Sequence, residues 1–441
     1  MSANSNASRV FYRSLTAQFP VATRASGVYL TDSSGKQYLD ASGGAAVCPV
    51  GHGNTRVIEA VQNQLDNMAF AHTSFFTSAP AEKLAEILSD KAPGGTWRTY
   101  FVSGGSEANE AAIKMARQIQ FERSETGRSH FISRQMAYHG STIATMALGT
   151  IRADKALYEP LLPTNIEKIM PCFPFRWQKK GETDEAFLIR TSGELEKTIE
   201  KLGDKRAIAF VAETVSGATL GAVPAVPGYF KAIREICDRH GVLMILDEVM
   251  AGMGRCGTLF ACEQDGVVPD MITLAKGLGG GYQPLGAVMV REELASEIEE
   301  GSGAFVHGHT YVGHATACAA GLAVQKVFEE DHLVEQVARN GDVLAAKLQE
   351  AFGDHPHVGD LRGRGFFRGI EIVKDRQSNN PFEGGLSIAM KIKKAAMDEG
   401  LICYPMGGTV DGKNGDHILL APPFIYSHAH MDEMVEKLRR A

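Results

Sequence analysis

The sequence predicts an α/β protein, with a mostly parallel central sheet covered by helices on both faces and a smaller α+β domain attached. Three observations carry this. Apolar runs of strand length, AIAFVA at 207–212, VLMIL at 242–246 and MITLA at 271–275, suit strands buried on both faces of a parallel sheet. Helical patterns alternate with these runs, for example from Gly228 to His240, which is the rhythm of right-handed βαβ crossovers. From Asp331 onward the chain changes character: an amphipathic helix (Leu333 to Phe352), the turn-rich LRGRGFFRGIEIV, a second helix (Leu386 to Glu399) and a last one (Ala429 to Leu438).

The 441 residues suffice for one large domain plus a smaller one, and 44% hydrophobic and 22% charged residues are ordinary globular values. A net charge of −7 without a basic block gives nucleic-acid or anionic-membrane binding no electrostatic basis. No apolar run approaches the ~18 residues of a membrane span. The start, MSANSNASRVFYRSLTAQ, lacks a hydrophobic signal core, so a cytoplasmic location is expected. Seven cysteines without a CxxC pair argue against metal and disulfide frameworks.

Taken in order, the first twenty or so residues are polar and expected to be mobile until something packs on them. Gly27 to Asp40 alternates around Ser33-Ser34-Gly35 as a hairpin should. Asn54 is placed to cap a helix from Thr55 whose apolar face is Val57, Ala60, Val61 and Leu65. Phe75 and Phe76 lie in the polar loop AHTSFFTSAP, either stapled into the core or touching substrate or a second subunit. Thr99 to Ser103 is a short strand that runs into Gly104-Gly105-Ser106 and a helix beginning EANEAAIK. Glycines, a hydroxyl and a helix N-terminus make either a phosphate cradle or a capped helix after a tight turn. A strand at Phe131-Ile132 delivers Tyr138, His139 and Gly140 to the cleft edge, where Tyr138 can stack on a flat ring or be a half-buried loop tyrosine.

Three strand ends then matter. AIAFVA ends in Glu213, VLMIL ends in Asp247-Glu248, and MITLA ends in Lys276 before a run of glycines. Ligands of open α/β sheets bind outside the carboxyl ends of the strands, so these side chains are aimed at a cleft. GAVMV at 286–290 supplies the last strand. His307, His309 and His314 follow, in an H-x-H-x4-H loop that lacks a completing carboxylate or cysteine, so no metal is expected.

A phosphate cradle, a stacking aromatic, a strand-end aspartate and a lysine are the four parts that pyridoxal 5′-phosphate requires. The lysine amine forms a Schiff base once its pKa is depressed, and the carboxylate keeps the pyridine nitrogen protonated so that the ring can accept electrons.

The same residues carry a family resemblance. From about Gly27 to Leu438, through SGGSEANEAAIK, YHGST, DEV with GMGRCG, PDMITLAKGLGGGYQPLGAVMV, HGHTYVGHATACAA and APPF, the chain resembles the class III aminotransferases of fold type I, which act on ω-amino acids and amines. The resemblance implies that Lys276 is the Schiff-base lysine and Asp247 the pyridinium partner. It implies that Val249 packs beneath the ring, Tyr138 stacks above it, and Gly105 and Ser106 hold the phosphate. Thr310 matches a threonine that reaches the neighbouring subunit's phosphate, which implies a homodimer with shared sites, a tetramer being left open. His139 and Glu213 are placed among the cofactor contacts. Phe75, Phe76 and Tyr138 are taken as pocket walls. The expected division is 1–54 contributing to the small domain, 55–325 as the large cofactor-binding domain and 326–441 as the rest of the small domain.

The implied reaction moves an amino group from an amine to a small keto acid such as pyruvate. Two departures bear on substrate. Glu213-Thr214 stands where many members read Glu-Pro, and Leu419 stands where members that handle α-carboxylates carry an arginine before Pro-Pro. Lys413 is a weak candidate for gripping a carboxylate. Racemases, aminomutases and a decarboxylase share the motifs and are the rival enzymes. A nicotinamide oxidoreductase would need a GxGxxG that the chain lacks.

Overall fold

The computed structural model describes residues 2–3, 8–150 and 153–441. The expectation for the first twenty residues therefore falls partly outside the described residues, at 1 and 4–7. Seven strands form the central sheet: β1 (Trp97–Val102), β2 (His130–Arg134), β3 (Ile166–Ile169), β4 (Ala207–Glu213), β5 (Leu243–Asp247), β6 (Met271–Leu274) and β7 (Gly286–Arg291). Their spatial order is β1-β7-β6-β5-β4-β2-β3. All neighbours pair in parallel except that β7 runs antiparallel to both β6 and β1. GAVMV is thus last in the chain but interior in the sheet.

Alternation along β5 shows why both faces are covered. Leu243 and Ile245 pack with Ala108, Ala112 and Ile119 of the helix Gly105–Glu122. Met244 and Leu246 belong to the opposite core, with Tyr229, Ile233 and Ile236 of the helix Tyr229–His240. Each fully buried apolar side chain of this size contributes about 1.5–3 kcal/mol of burial free energy, so β5 specifies both layers at once. Register then aligns the chemistry. Asp247 pairs with Glu213 on one side and with Thr273 on the other, so three carboxyl ends stand level.

Beyond the central sheet, Val358–Arg364, Phe367–Ile372, Asp416–Leu420 and Tyr404–Gly407 form an antiparallel sheet. The glycine-rich LRGRGFFRGIEIV is therefore a hairpin, because its apolar alternation outweighs its turn residues. The N-terminal hairpin forms as expected, with Tyr29–Asp32 antiparallel to Gln37–Asp40. Its second strand, Gln37–Asp40, pairs in parallel with Leu401–Ile402, and Tyr29 Oη donates to Glu433 Oε2 at 2.6 Å, so the two ends of the chain meet.

Asn54 precedes the helix Thr55–Asn67, but its side chain accepts no capping bond. Its backbone N–H instead donates to Tyr282 Oη at 2.7 Å, a tie to the loop after Lys276. Leu65, expected on the buried face of that helix, is exposed. No helix among the described residues is long and apolar enough to cross a membrane.

Candidate active site

At the carboxyl ends of β4, β5 and β6 lies a cavity of about 930 Å³ lined by Gly104, Gly105, Ser106, Tyr138, His139, Glu213, Asp247, Val249 and Lys276. Lys276 follows β6 after one residue, Ala275, and adopts a left-handed backbone at φ 48°, a conformation that costs a non-glycine residue about 1–3 kcal/mol. Burial pushes its ammonium down to about 8, against the opposing pull of Asp247 and Glu213. No described residue forms a hydrogen bond with Nζ. The result is a buried amine whose neutral form, about a tenth of the population at pH 7, far exceeds that of a free lysine and is the form that attacks a carbonyl.

Asp247 is held from three sides. Its Oδ2 accepts from Asn109 Nδ2 and lies 2.8 Å from His139 Nδ1, while Oδ1 accepts from the Val249 N–H at 3.0 Å. With the carboxylate accepting, Nδ1 carries the histidine proton, and the buried Nε2 has no partner among the described residues. Asn109 is oriented in turn, since its Oδ1 accepts from Thr273 Oγ1 at 2.9 Å and its amide also donates to His139 O at 2.8 Å. Asn109 and Thr273 were not singled out from the sequence, although Asn109 stands in the second turn of the helix after Gly104-Gly105-Ser106.

Glu213 lines the cavity, yet both its oxygens serve the backbone: Oε1 accepts from Tyr138 N at 3.1 Å and Oε2 from Gly217 N at 2.7 Å. Burial raises its carboxyl above the usual range, with His139 pulling the other way. Arg134 donates to its carbonyl. Tyr138, 38% exposed, has its backbone placed by this acid and its hydroxyl 3.2 Å from Ser141 Oγ.

The helix Gly105–Glu122 begins at the cavity wall, so its first N–H groups face inward with the positive end of its dipole. A Cβ at Gly104 would meet nothing within 4 Å, whereas one at Gly105 would stand 2.8 Å from Val249 Cγ1. Residue 105 therefore closes against the residue that follows the Asp247 strand, leaving its amide bare. These residues fit pyridoxal 5′-phosphate: an anion-binding helix start, a strand-end carboxylate held rigidly, a tyrosine at the rim and a neutralisable amine face one space.

Other expected residues lie elsewhere. Phe75 and Phe76 are 78% and 67% exposed and do not line this cavity within one chain. Thr310 is also exposed and outside it. Lys413 sits on an exposed turn with its backbone N–H on Asp411 Oδ1, away from the cavity. Leu419 is fully buried in an apolar cluster with Met250, Phe367 and Ala421. Tyr404, Met406 and Arg13 complete the cavity wall.

Residues 12–441 match the family described as aminotransferase class-III. An uncharacterized aminotransferase of Schizosaccharomyces pombe is 43% identical over 98% of this chain and 94% of its own length. An (S)-enantioselective omega-transaminase from Thermomicrobium roseum superposes with a TM-score of 0.87 at 36% identity, over 95% of this chain and 91% of that one. A PLP-bound aminotransferase mutant from Vibrio fluvialis gives 0.89 at 32% identity, over 96% and 91%. With the cavity, the family match and these likenesses in agreement, the chain belongs to the class III aminotransferases, enzymes of fold type I that work with pyridoxal 5′-phosphate.

Proposed function

We propose that this aminotransferase is an ω-transaminase, which takes the amino group from an amine or ω-amino acid and passes it to a small keto acid such as pyruvate. The observation that carries the reading is Leu419: where a fixed arginine would grip an α-carboxylate, the chain buries a leucine among Met250, Phe367 and Ala421. A donor whose carboxylate is remote or absent meets no unpaired charge there. When bound, pyridoxal 5′-phosphate takes up the amino group at its aldehyde carbon and delocalises the electrons released at the substrate carbon.

The chain's own residues divide the remaining work. Lys276 would hold the aldehyde end and serve as the base that moves the substrate-carbon proton, a task suited to a buried amine whose pKa is lowered to about 8. Asp247 keeps the pyridine nitrogen protonated. Val249 and Tyr138 would bracket the ring, Gly105 and Ser106 would receive the phosphate, and His139 orients Asp247. Glu213 fixes the backbone of Tyr138 and the 213–217 turn.

In this reading the protein is a cytoplasmic homodimer, able to pair further, with 1–54 and 326–441 forming one small domain against 55–325. The exposed adjacent pair Phe75 and Phe76 supports the dimer, since exposed large aromatic side chains gain by burial against a partner. Thr310 then reaches the partner's phosphate, and Phe75 and Phe76 wall the partner's pocket. A panel of amine donors against pyruvate tests the reaction, with alanine as the product measured. Absence of alanine from every donor overturns it, and racemised donor without alanine assigns the chain to the racemases instead.

A further inference from the structure

Keto-acid acceptors bring a carboxylate into a site that has no fixed arginine at position 419. Among the described residues lining the cavity, only two carry a lysine or arginine cation, Lys276 and Arg13. Lys276 is committed to the reacting carbon in the reading above, on which the present inference rests. Arg13 is left.

Its setting suits the role. Residues 8–18 form no helix or strand, but local contacts hold the backbone on either side of Arg13. The Tyr12 ring packs on Phe19 with centroids 5.5 Å apart, and Ser14 Oγ accepts from the Ala17 N–H at 3.2 Å. The guanidinium itself is exposed and makes no hydrogen bond or ion pair with any described residue, so it carries five donors without acceptors. Both carboxylates that line the cavity are engaged: Asp247 with Asn109, His139 and Val249, and Glu213 with the Tyr138 and Gly217 amides. Neither competes for Arg13. An incoming carboxylate matches the planar fork and can be held through two parallel bonds.

We propose that Arg13 is the carboxylate-binding residue of this site, which takes acceptors and distal-carboxylate donors from the N-terminal segment and not from the strand that ends in Ala-Pro-Pro. The substrates favoured are those whose carboxylate reaches the N-terminal segment where Arg13 lines the cavity.

The test uses the holoenzyme, with cofactor absorbance as readout. Propionate, a carboxylate without a carbonyl to react, is titrated beside propionamide, its neutral counterpart. Arg13→Gln is expected to weaken propionate by about 10- to 100-fold, the scale of one lost charge-assisted pair, and to erase the preference over propionamide. Arg13→Lys should recover part of it, as a point charge without the fork. In turnover, the ratio of kcat/KM for pyruvate to that for propanal should fall by a similar factor in Arg13→Gln, with the change in KM and not in kcat. Equal propionate binding by wild type and Arg13→Gln, or an unchanged pyruvate-to-propanal ratio, overturns the inference. Failure of the ω-transaminase reading is seen separately, as a wild-type enzyme that forms no alanine from any donor.

Discussion

Asn109 Nδ2 donates to Asp247 Oδ2 at 2.8 Å, and this bond joins the helix Gly105–Glu122 to the carboxyl end of β5. The same amide donates to His139 O and accepts from Thr273, so four elements share one side chain. Asp247 is consequently held by the fold before any ligand arrives, and a pre-oriented carboxylate spends no binding energy on its own ordering.

Asn109→Leu removes both donors and the acceptor while nearly keeping the volume. Thr273 Oγ1 and His139 O lose their partners, so we expect a loss of about 1–3 kcal/mol in stability. Asp247 keeps His139 and the Val249 N–H but loses one of its three anchors, and cofactor affinity should fall with it. Thermal denaturation and a cofactor titration followed by absorbance check the two effects, and a variant that keeps wild-type affinity removes Asn109 from the assignment.

Lys276 makes stability depend on pH in the apoprotein. Its folded pKa, about 8, lies below the 10.5 of a free lysine, so between these values the unfolded chain binds more protons and stability rises with pH. Below pH 8 the full penalty applies, on the order of 3 kcal/mol. Apo Lys276→Met should therefore be the more stable protein at pH 7, with the gap closing by about pH 10.5. Urea unfolding of both apoproteins across that range measures it. The holo variant is expected to transfer no amino groups.

Gly105→Ala places a methyl 2.8 Å from Val249 Cγ1, closer than carbon atoms stand. Val249 must shift toward the space proposed for the ring, and we expect at least a tenfold loss of cofactor affinity. If the clash is the cause, Gly105→Ala/Val249→Ala restores most of it. A double variant as weak as the single one points to the loop backbone instead.

Phe76→Asp tests the dimer. A charge buried at a subunit contact costs several kcal/mol unless paired. Light scattering coupled to size exclusion should show the mass halved from dimer toward monomer, with activity falling in parallel. A variant that stays dimeric and active places Phe76 outside the interface.

Wherever the chemistry was local, it could be read from the chain. Continuous apolar runs announce strands buried on both faces, and a polar residue breaking such a run marks the strand end, which is why Glu213, Asp247 and Lys276 were visible. Glycine-glycine-serine before an alanine-rich helix marked, in the same way, a helix start that lines the cavity.

Long-range pairing was decided only in three dimensions. β7 slips between β6 and β1 in the antiparallel sense, and no local period encodes that choice. Glu213, expected as a cofactor contact, lines the cavity, and the fold also turns both its oxygens to backbone N–H groups, because a buried acid takes whichever donors enclose it. Asn109 and Thr273 are ordinary helix and strand residues until packing brings them to Asp247. Arg13 is one polar residue among many in its segment, and only the folding of that segment over the cavity mouth makes it a candidate. The strand ends and their chemical types follow from sequence because burial and termination are local properties. Which groups meet each other, and so which carboxylate is free and which cation is left over, depends on distances between segments far apart in the chain, and only the packed structure determines those.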